Sequence, residues 1–540
     1  MAIARWNPRT SYAKQEERLL GRLRRTKKLY AFLRDHRHEL FDEAFQDELA
    51  GMYRDTGAGK DARPPALLAM ALLLQAYEGA SDAEAVELTV VDLRWQMVLD
   101  RLGCEEPAFA QGTLQAFRER MIRTDMDRRL LERTVELARQ TRAFDWKKLP
   151  KAVRVAIDSA PLAGAGRVED TLNLLAHAAR NVAVCAAALL DWPLERLATT
   201  AGAPMLLEPS IKRALDREWG TAQATIDALN DLLSQIDALQ RWMTAALGDQ
   251  LKHAPLSEYL ATLSQIRDQD LEPDPSGNGR SRIRDHVAEE RRISVSDPEM
   301  RHGRKSKSRR IDGYKRHIAV DLDTQLIIGC AVTPANRPEA EAALPLQRDI
   351  QRIATRIGEM HCDRGYIASP LMTELCRAGA QIFCKPWIAR NGNLFTKSAF
   401  TTNLRSMTIT CPAGETQPIK LGAHVKFPPS RCDACALRAR CTDASPGIGR
   451  TISIANDEPL QKKLRALMSS RTGRARLRER VAVEHQLAHL VQRQGNRARY
   501  RGVRRNLFDV RRAASLQNLE TTHRQLSLGA GAGAMSRSAA

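Results

Sequence analysis

Three acidic residues sit in surroundings that would let them act together. Lys151–Asp158 alternates, with Val153, Val155 and Ile157 on one side, and reads as a strand ending on Asp158. Gly358–Asp363 reads as a second short strand ending on Asp363. Glu484 falls on a helix expected over Arg474–Gln492. At about 100° per residue it lies in the middle of an apolar stripe made by Leu477, Val481, Ala488 and Val491. A carboxylate there is costly unless a charge meets it. Arg480, one turn earlier, is one partner and a divalent cation another. Three carboxylates from two strands and a helix can hold two Mg²⁺ ions about 3.5–4 Å apart, an arrangement that serves phosphoryl transfer. Each acid alone has an ordinary reading, as a strand-end Asp or a salt-bridged Glu.

A second constellation is made of thiols. Cys432-x2-Cys435 has the spacing of a zinc knuckle, and Cys441 and Cys411 can complete a four-thiolate structural zinc site. His424 can replace one ligand, and four reduced, unliganded thiols are the alternative. The other six of the ten cysteines are scattered, as reduced core residues are. Gly57-Ala-Gly-Lys60 lacks the first glycine of a phosphate loop and is followed by Asp61, so no ATP dependence is expected. Trp387 reads as core packing, with base stacking as the other reading.

The elements that must position these residues are interleaved. At 540 residues the chain is too long for one ordinary domain. Its 43% apolar and 27% charged residues exclude a disordered protein. Residues 1–145 read as a helical, DNA-binding N-terminal domain. Pro64-Pro65 opens a helix that Gly79 ends, Ser81 or Asp82 caps the next, and Thr113 caps a third carrying Arg118, Arg120 and Arg123. Residues 150–166 hold the Asp158 strand, and 167–295 a helical insert with its clearest amphipathic run at Leu229–Leu247. Residues 296–390 hold a hairpin, Tyr314–Asp321 with Leu326–Thr333, and the Asp363 strand. A Cys-rich β and loop insert follows at 391–458, then the Glu484 helix within 459–525, and a low-complexity, disordered tail at 526–540.

The net charge is +20. Residues 1–28 and 301–316 each carry +7 and residues 470–512 carry +10, which leaves the rest at −4. Such runs on a near-neutral background point to a long polyanion, with Lys305, Lys307, Arg309, Arg310, Lys315 and Arg316 tracking phosphates beside the hairpin. No signal-peptide pattern opens the sequence, and Leu67–Ala76, its longest apolar run, is too short to span a bilayer. A soluble, cytoplasmic, nucleoid-associated protein is expected.

Ala156-Ile-Asp-Ser-Ala-Pro-Leu-Ala-Gly-Ala-Gly166, Gly313-Tyr-Lys315, Val332-Thr-Pro-Ala-Asn336 and Cys362-Asp-Arg-Gly-Tyr366 resemble the motifs of DDE transposases of bacterial insertion sequences. Residues 63–121 resemble the N-terminal domain of the same proteins, in a branch with a helical insert after the first Asp and a Cys-containing insert before the Glu. The resemblance implies an α/β, ribonuclease-H-like core interrupted by those two inserts and preceded by an all-α domain. It implies Asp158, Asp363 and Glu484 as catalytic ligands of two Mg²⁺ (or Mn²⁺) ions. The family's helix reads Tyr-x2-Arg-x3-Glu-x6-Lys; here Arg480 and Glu484 are kept, and Leu477 and Val491 stand in the outer positions. Arg480, Lys305, Lys307, Lys315, Arg316 and Arg118 are the expected DNA contacts. The implied activity is binding of terminal inverted repeats on double-stranded DNA, cleavage by water, and strand transfer by the freed 3′-OH within a dimer or larger synaptic complex. A catalytically inactive DNA-binding repressor and a ribonuclease-H-like nuclease without strand transfer are the alternatives.

Overall fold

The computed structural model describes residues 3–23, 28–53, 62–208, 210, 221–305, 308–354 and 356–537. Gly57–Lys60 and Lys307 lie outside the described residues. Helices come first: α1 (Lys14–Arg22), α2 (Leu29–Leu40), α3 (Glu43–Ala50), α4 (Pro65–Glu78), α5 (Asp82–Val91), α6 (Leu93–Val98), α7 (Gln111–Thr124) and α8 (Met126–Gln140). Helix α4 is buried on every side from Ala66 to Ala76 and is the axis around which the others pack. Pro65 sits in its first turn, where a missing N–H costs nothing, and Gly79 ends it at φ +73°. Ser81 caps α5, its hydroxyl accepting from the Glu84 N–H while the Glu84 carboxylate accepts from the Ser81 N–H. Thr113 is not a cap: α7 begins at Gln111, and Leu114, Phe117 and Met121 form its buried stripe.

After the strand β1 (Val153–Ala163) come α9 (Thr171–Leu189), α10 (Leu194–Thr200), α11 (Ala222–Leu247) and α12 (Leu256–Asp270), followed by a small hairpin, β2 (Leu271–Pro273) with β3 (Ser281–Ile283). Helix α9 is long and apolar enough in composition to cross a membrane. In the fold, Leu174, Leu175, Val182 and Ala186 pack instead against Leu232, Ile236 and Leu239 of α11 in a core of their own.

The chain then returns to the sheet through β4 (Arg301–Arg304), β5 (Arg310–Asp321), β6 (Ile327–Pro334), α13 (Ala343–Ile353), β7 (Ile357–His361), α14 (Arg364–Ile367), α15 (Pro370–Arg377) and β8 (Gln381–Phe383). Strand order is β4-β5-β1-β7-β8. β4 pairs with the start of β5 and β6 with the rest of it. β5 is antiparallel to β1, whereas β7 is parallel to β1 and β8 to β7. Five short strands, β9 (Thr401–Asn403), β10 (Thr408–Thr410), β11 (Thr416–Pro418), β12 (His424–Lys426) and β13 (Thr451–Ser453), surround the clustered cysteines with α16 (Pro429–Asp433) and α17 (Arg438–Cys441). The last helices are α18 (Glu458–Ser469), α19 (Arg471–Arg478), α20 (Val481–Gln494) and α21 (Val503–Arg537).

Alternation along β1 sorts the two faces of the sheet. Val155 and Ile157 face a layer with Leu346 and Ile350 of α13 and Leu371 of α15. Ala156 and Leu162 face the other layer, with Val483, Leu487 and Leu490 of α20 and Val510 and Ala514 of α21. Three expectations change. β1 runs five residues past Asp158, because antiparallel pairing with β5 continues to Ala163–Gly313. The expected Arg474–Gln492 helix is two, α19 and α20, joined by a tightened turn in which the Ala482 N–H donates to Glu479 O (3.1 Å) and the Val483 N–H to Arg480 O (3.0 Å). The backbone of residues 526–537 is helical as the end of α21, where composition suggested a disordered tail; a helix already nucleated adds residues one hydrogen bond at a time.

Helix α21 ties the molecule together. Phe508, Leu516 and Leu519 enter the core around α4, while Val510, Ala513 and Ala514 enter the sheet layer. Between them the buried Arg511 guanidinium meets Asp125 (2.6 Å) and Asp127 (3.2 Å) at the start of α8 and Asp349 (2.9 Å) on α13. Removing one partner of such a network strands buried charge. Arg511→Met should therefore destabilise the protein by about 3–5 kcal/mol, read as a lower denaturation midpoint. An unchanged midpoint would show that Arg511 does not hold these three elements together.

Candidate active site

Asp158 has the parity of Ala156 and so points into the layer that α20 covers. On β7, Glu359 and His361 lie opposite Arg154 and Ala156. Continued two residues further, that register brings Asp363 beside Asp158. Asp363 follows β7 directly and stands at the N-cap position of α14. Glu484 lies in the first turn of α20.

The three acids converge on one side chain. Arg480 places Nη1 3.2 Å from Asp158 Oδ2 and Nη2 3.4 Å from Asp363 Oδ1, and Nη2 also donates to Glu484 Oε1. The expected mid-stripe position of Glu484 is corrected: its side chain is 43% exposed, and the buried stripe is Val483, Leu487, Leu490 and Gln494. The tight turn at residues 479–480 shifts the phase of α20, so Glu484 lies at the rim of the stripe and faces the groove. Asp158 is the buried member, at 15% exposure. Desolvation pushes its carboxyl up to about 6, against the pull of the Ser159 N–H and Arg480, and Asp363 and Glu484 push it up further.

The acids line an open groove of about 850 Å³, with Lys305, Arg309 and Lys315 on its wall and Leu487 and Val491 on its floor. The half-buried Lys315 donates from Nζ to Arg337 O (2.8 Å). A fourth carboxylate, missed in the sequence reading, is Glu339, which lines the same groove and accepts from Ser159 Oγ. A Cβ on Gly365 would come 2.2 Å from Glu339 Oε2, so the glycine of Cys362-Asp-Arg-Gly-Tyr366 makes room for that carboxylate. The available signal was the run from Val332-Thr-Pro-Ala-Asn336 straight into Arg337-Pro-Glu339. Beneath the site His317, fully buried and lowered to about 3 by desolvation, bonds Tyr366 Oη (2.8 Å) and Thr333 Oγ1 (3.0 Å) as a neutral ring.

Several expected DNA contacts are elsewhere. Arg118 is buried and clamps Asp82, its guanidinium carbon 5.6 Å from the centre of the Tyr500 ring. Arg316 is fully buried, donating to Gln494 Oε1 (2.6 Å) and Pro161 O (3.0 Å). Both guanidiniums are buried, with both Nη atoms bonded inside the fold and Nε without a partner, and so are closed to phosphate. Much of the 470–512 basic run is likewise paired: Arg476 with Glu359, Arg493 with Glu520, Arg504 with Asp127 and Arg512 with Asp509. Lys305 is exposed on the groove wall. Trp387 is half exposed, not core, and its backbone N–H donates to the buried Gln461 (2.9 Å).

Three hard oxygen donors on three elements suit a magnesium-like cation, and the Arg480 guanidinium already supplies a positive charge among them. Cys411, Cys432, Cys435 and Cys441 line one small apolar cavity with Phe395 and Phe427. The Leu437 N–H points at Cys435 Sγ (3.4 Å) and the Arg450 N–H at Cys432 Sγ (3.5 Å). His424 bonds Ser453 Oγ (2.9 Å) and does not line that cavity. Among the described residues, ligand atoms lying within 4.8 Å of one another are found at Glu359, His361 and Glu479, and not among the four sulfurs or the three acids.

Residues 285–519 match the family model of the transposase DDE domain, and residues 23–120 that of a second transposase domain. The first match contains Asp363 and Glu484 and begins after β1 and the helical insert. No curated protein and no solved structure matches the chain. With both a transposase DDE domain and a second transposase domain matched, this chain belongs to the DDE transposases of the insertion-sequence kind.

Proposed function

We propose that this chain is an active DNA transposase that binds the terminal inverted repeats of its element, cuts the DNA there with water, and joins the freed 3′-OH to target DNA. The observation that carries the reading is the meeting of Asp158, Asp363 and Glu484 around one guanidinium in a groove walled by Lys305, Arg309 and Lys315. The strand order also supports a ribonuclease-H-like core: three antiparallel strands, β6-β5-β1, continued by β7 and β8 parallel to β1. Two magnesium ions bound to these carboxylates would activate the attacking oxygen and stabilise the leaving one.

The protein's own part is positioning and charge. Asp158 is fixed by the central strand, Asp363 by the end of β7 and Glu484 by α20, so the three donors approach from separate rigid elements. Arg480 offsets their mutual repulsion, and the lysines on the wall meet the DNA phosphates that the acids would otherwise repel. Both steps attack phosphorus with an oxygen nucleophile from water or DNA, so no covalent protein–DNA intermediate forms. Two ends must be processed together, which calls for a dimer or larger assembly. The four-cysteine cavity is proposed to hold a structural zinc ion that fastens a segment whose apolar core is small.

With DNA carrying the element's ends and Mg²⁺, the purified chain should release a 3′-OH at each end, and EDTA should stop it. Asp158→Asn, Asp363→Asn and Glu484→Gln should each lower the cleavage rate roughly a thousandfold or more while end binding persists. Full cleavage by Glu484→Gln would remove it as the third ligand. Because Asp158 must be ionised to bind a cation, cleavage should fall as pH drops below about 6. The same shift acts oppositely on stability. The folded carboxyl titrates above its ordinary 3.8, so the stability of its neutral form is full below that value and lost as pH rises through about 6. Metal-free Asp158→Asn should thus be more stable than the native chain at pH 7, by about 3 kcal/mol. Elemental analysis should find about one zinc per chain, lost on Cys432→Ser; a metal-free chain that folds normally would exclude the zinc site.

A further inference from the structure

A second ionic cluster lies behind the acids and uses the same three elements. Arg154 is on β1, four residues before Asp158; Glu359 is on β7, four residues before Asp363; Arg476 and Glu479 are on and just after α19, immediately before Arg480 and Glu484. Arg154 Nε donates to Glu359 Oε2 (2.9 Å) and its Nη2 to Glu479 Oε2. Arg476 Nη1 donates to Glu479 Oε1 (2.9 Å) and its Nη2 to Glu359 Oε2. Two guanidiniums and two carboxylates thus form a closed ring. Arg476 also stands 4.9 Å from the centre of the Phe383 ring on β8, and that ring stacks on His361.

His361 Nε2 lies 3.4 Å from Glu359 Oε2, which makes Glu359, His361 and Glu479 look like a metal site. The charges argue otherwise, because both carboxylates are already neutralised by two guanidiniums that each bridge them. Burial would raise the Glu359 carboxyl, yet hydrogen bonds from Arg154 and His361 and the nearby Arg476 charge hold it below the usual carboxylate range.

We infer that the ring of Arg154, Glu359, Arg476 and Glu479 is a positioning device for the reaction centre: it fixes the turn between α19 and α20, and through it Arg480 and Glu484, against the strands that carry Asp158 and Asp363. The geometry is specific. Parallel pairing already sets Arg154 against Glu359 and therefore sets Asp158 beside Asp363. Backbone bonds from the Ala163 N–H to Asn496 O (2.9 Å) and from the Ala498 N–H to Ala163 O (2.7 Å) tie the C-terminal end of α20 to β1. At its other end, beside Arg480 and Glu484, the buried Val483 and Leu487 make apolar contacts that tolerate small shifts. Each guanidinium bridges Glu359 and Glu479 through different nitrogens, and these directional contacts remove that freedom at the start of α20. These four residues act through Arg480 and Glu484 and do not touch DNA or cation.

This inference rests on the proposed reading of the three acids, and the experiment separates the two. Glu479→Gln and Arg476→Met are assayed in the full chain for end binding, for cleavage against Mg²⁺ concentration, and for the rise in melting temperature that Mg²⁺ produces without DNA. Asp323→Asn is the control: Asp323 meets Arg154 (2.8 Å) from the β5–β6 turn, outside the ring. The expected result is unchanged end binding, a half-maximal Mg²⁺ concentration raised about tenfold, cleavage down roughly 10- to 100-fold, and a smaller Mg²⁺-induced thermal shift, with Asp323→Asn near native in all four. If Glu479→Gln does not fold, Arg154→Lys, which keeps the charge and loses the bridge between Glu359 and Glu479, should show the same displaced Mg²⁺ midpoint. Native Mg²⁺ midpoints in the ring variants, beside a native chain that cleaves, overturn the positioning role alone. Equal displacement by Asp323→Asn also overturns it, as a general loss of stability. A native chain that neither cleaves nor is stabilised by Mg²⁺ overturns the functional reading and this inference with it.

Discussion

Three carboxylates cannot share a small space without a cation between them, and the site is organised around that constraint. Arg480 meets Asp158, Asp363 and Glu484 at once. For one guanidinium to do so, the central strand must turn Asp158 toward the helical layer, the neighbouring parallel strand must end beside it, and the chain must return more than a hundred residues later to lay α20 across both. Burial holds the Asp158 carboxyl above its ordinary value despite Arg480, and Asp363 and Glu484 add to the rise. A site that keeps negative charge in excess is suited to drawing in divalent cations.

Arginine does most of the long-range fastening. Arg511 joins α21 to α8 and α13, Arg118 joins α7 to α5, and Arg154 and Arg476 join the strands to α19. The guanidinium suits this work because its fork binds two acceptors in fixed geometry and it stays charged when desolvated. The strongly basic composition is therefore partly structural. What remains for a polyanion is more local, and the groove wall with Lys305, Arg309 and Lys315 is its clearest part.

Much of the fold was legible because its signals are local. Pro65, Gly79 and the Ser81–Glu84 box mark helix ends by their own backbone chemistry, and the β5–β6 hairpin follows from alternation around Asp323-Thr324. The extension of β1 past Asp158 was not legible, since it depends on a partner strand 150 residues away. Nor was the break between α19 and α20. No proline or glycine marks it, and Glu479 and Arg480 turn there toward partners on other elements. An unbroken helical wheel placed Glu484 amid the buried stripe, whereas the structure leaves it at the groove.

By itself the sequence determined the identities of the three acids, the cysteine group, the helical and β segments, and the family motifs, all of which are carried by residue type and spacing along the chain. The tertiary structure decided which charges act and which fasten. Arg118 and Arg316 resembled surface contacts until burial turned their Nη donors to partners inside the fold. Glu339 drew no notice in the sequence, and it is Gly365 that lets its carboxylate into the groove. The physical reason is that a charge takes its role from what lies within a few ångströms of it, and those neighbours come from elements that only folding brings together.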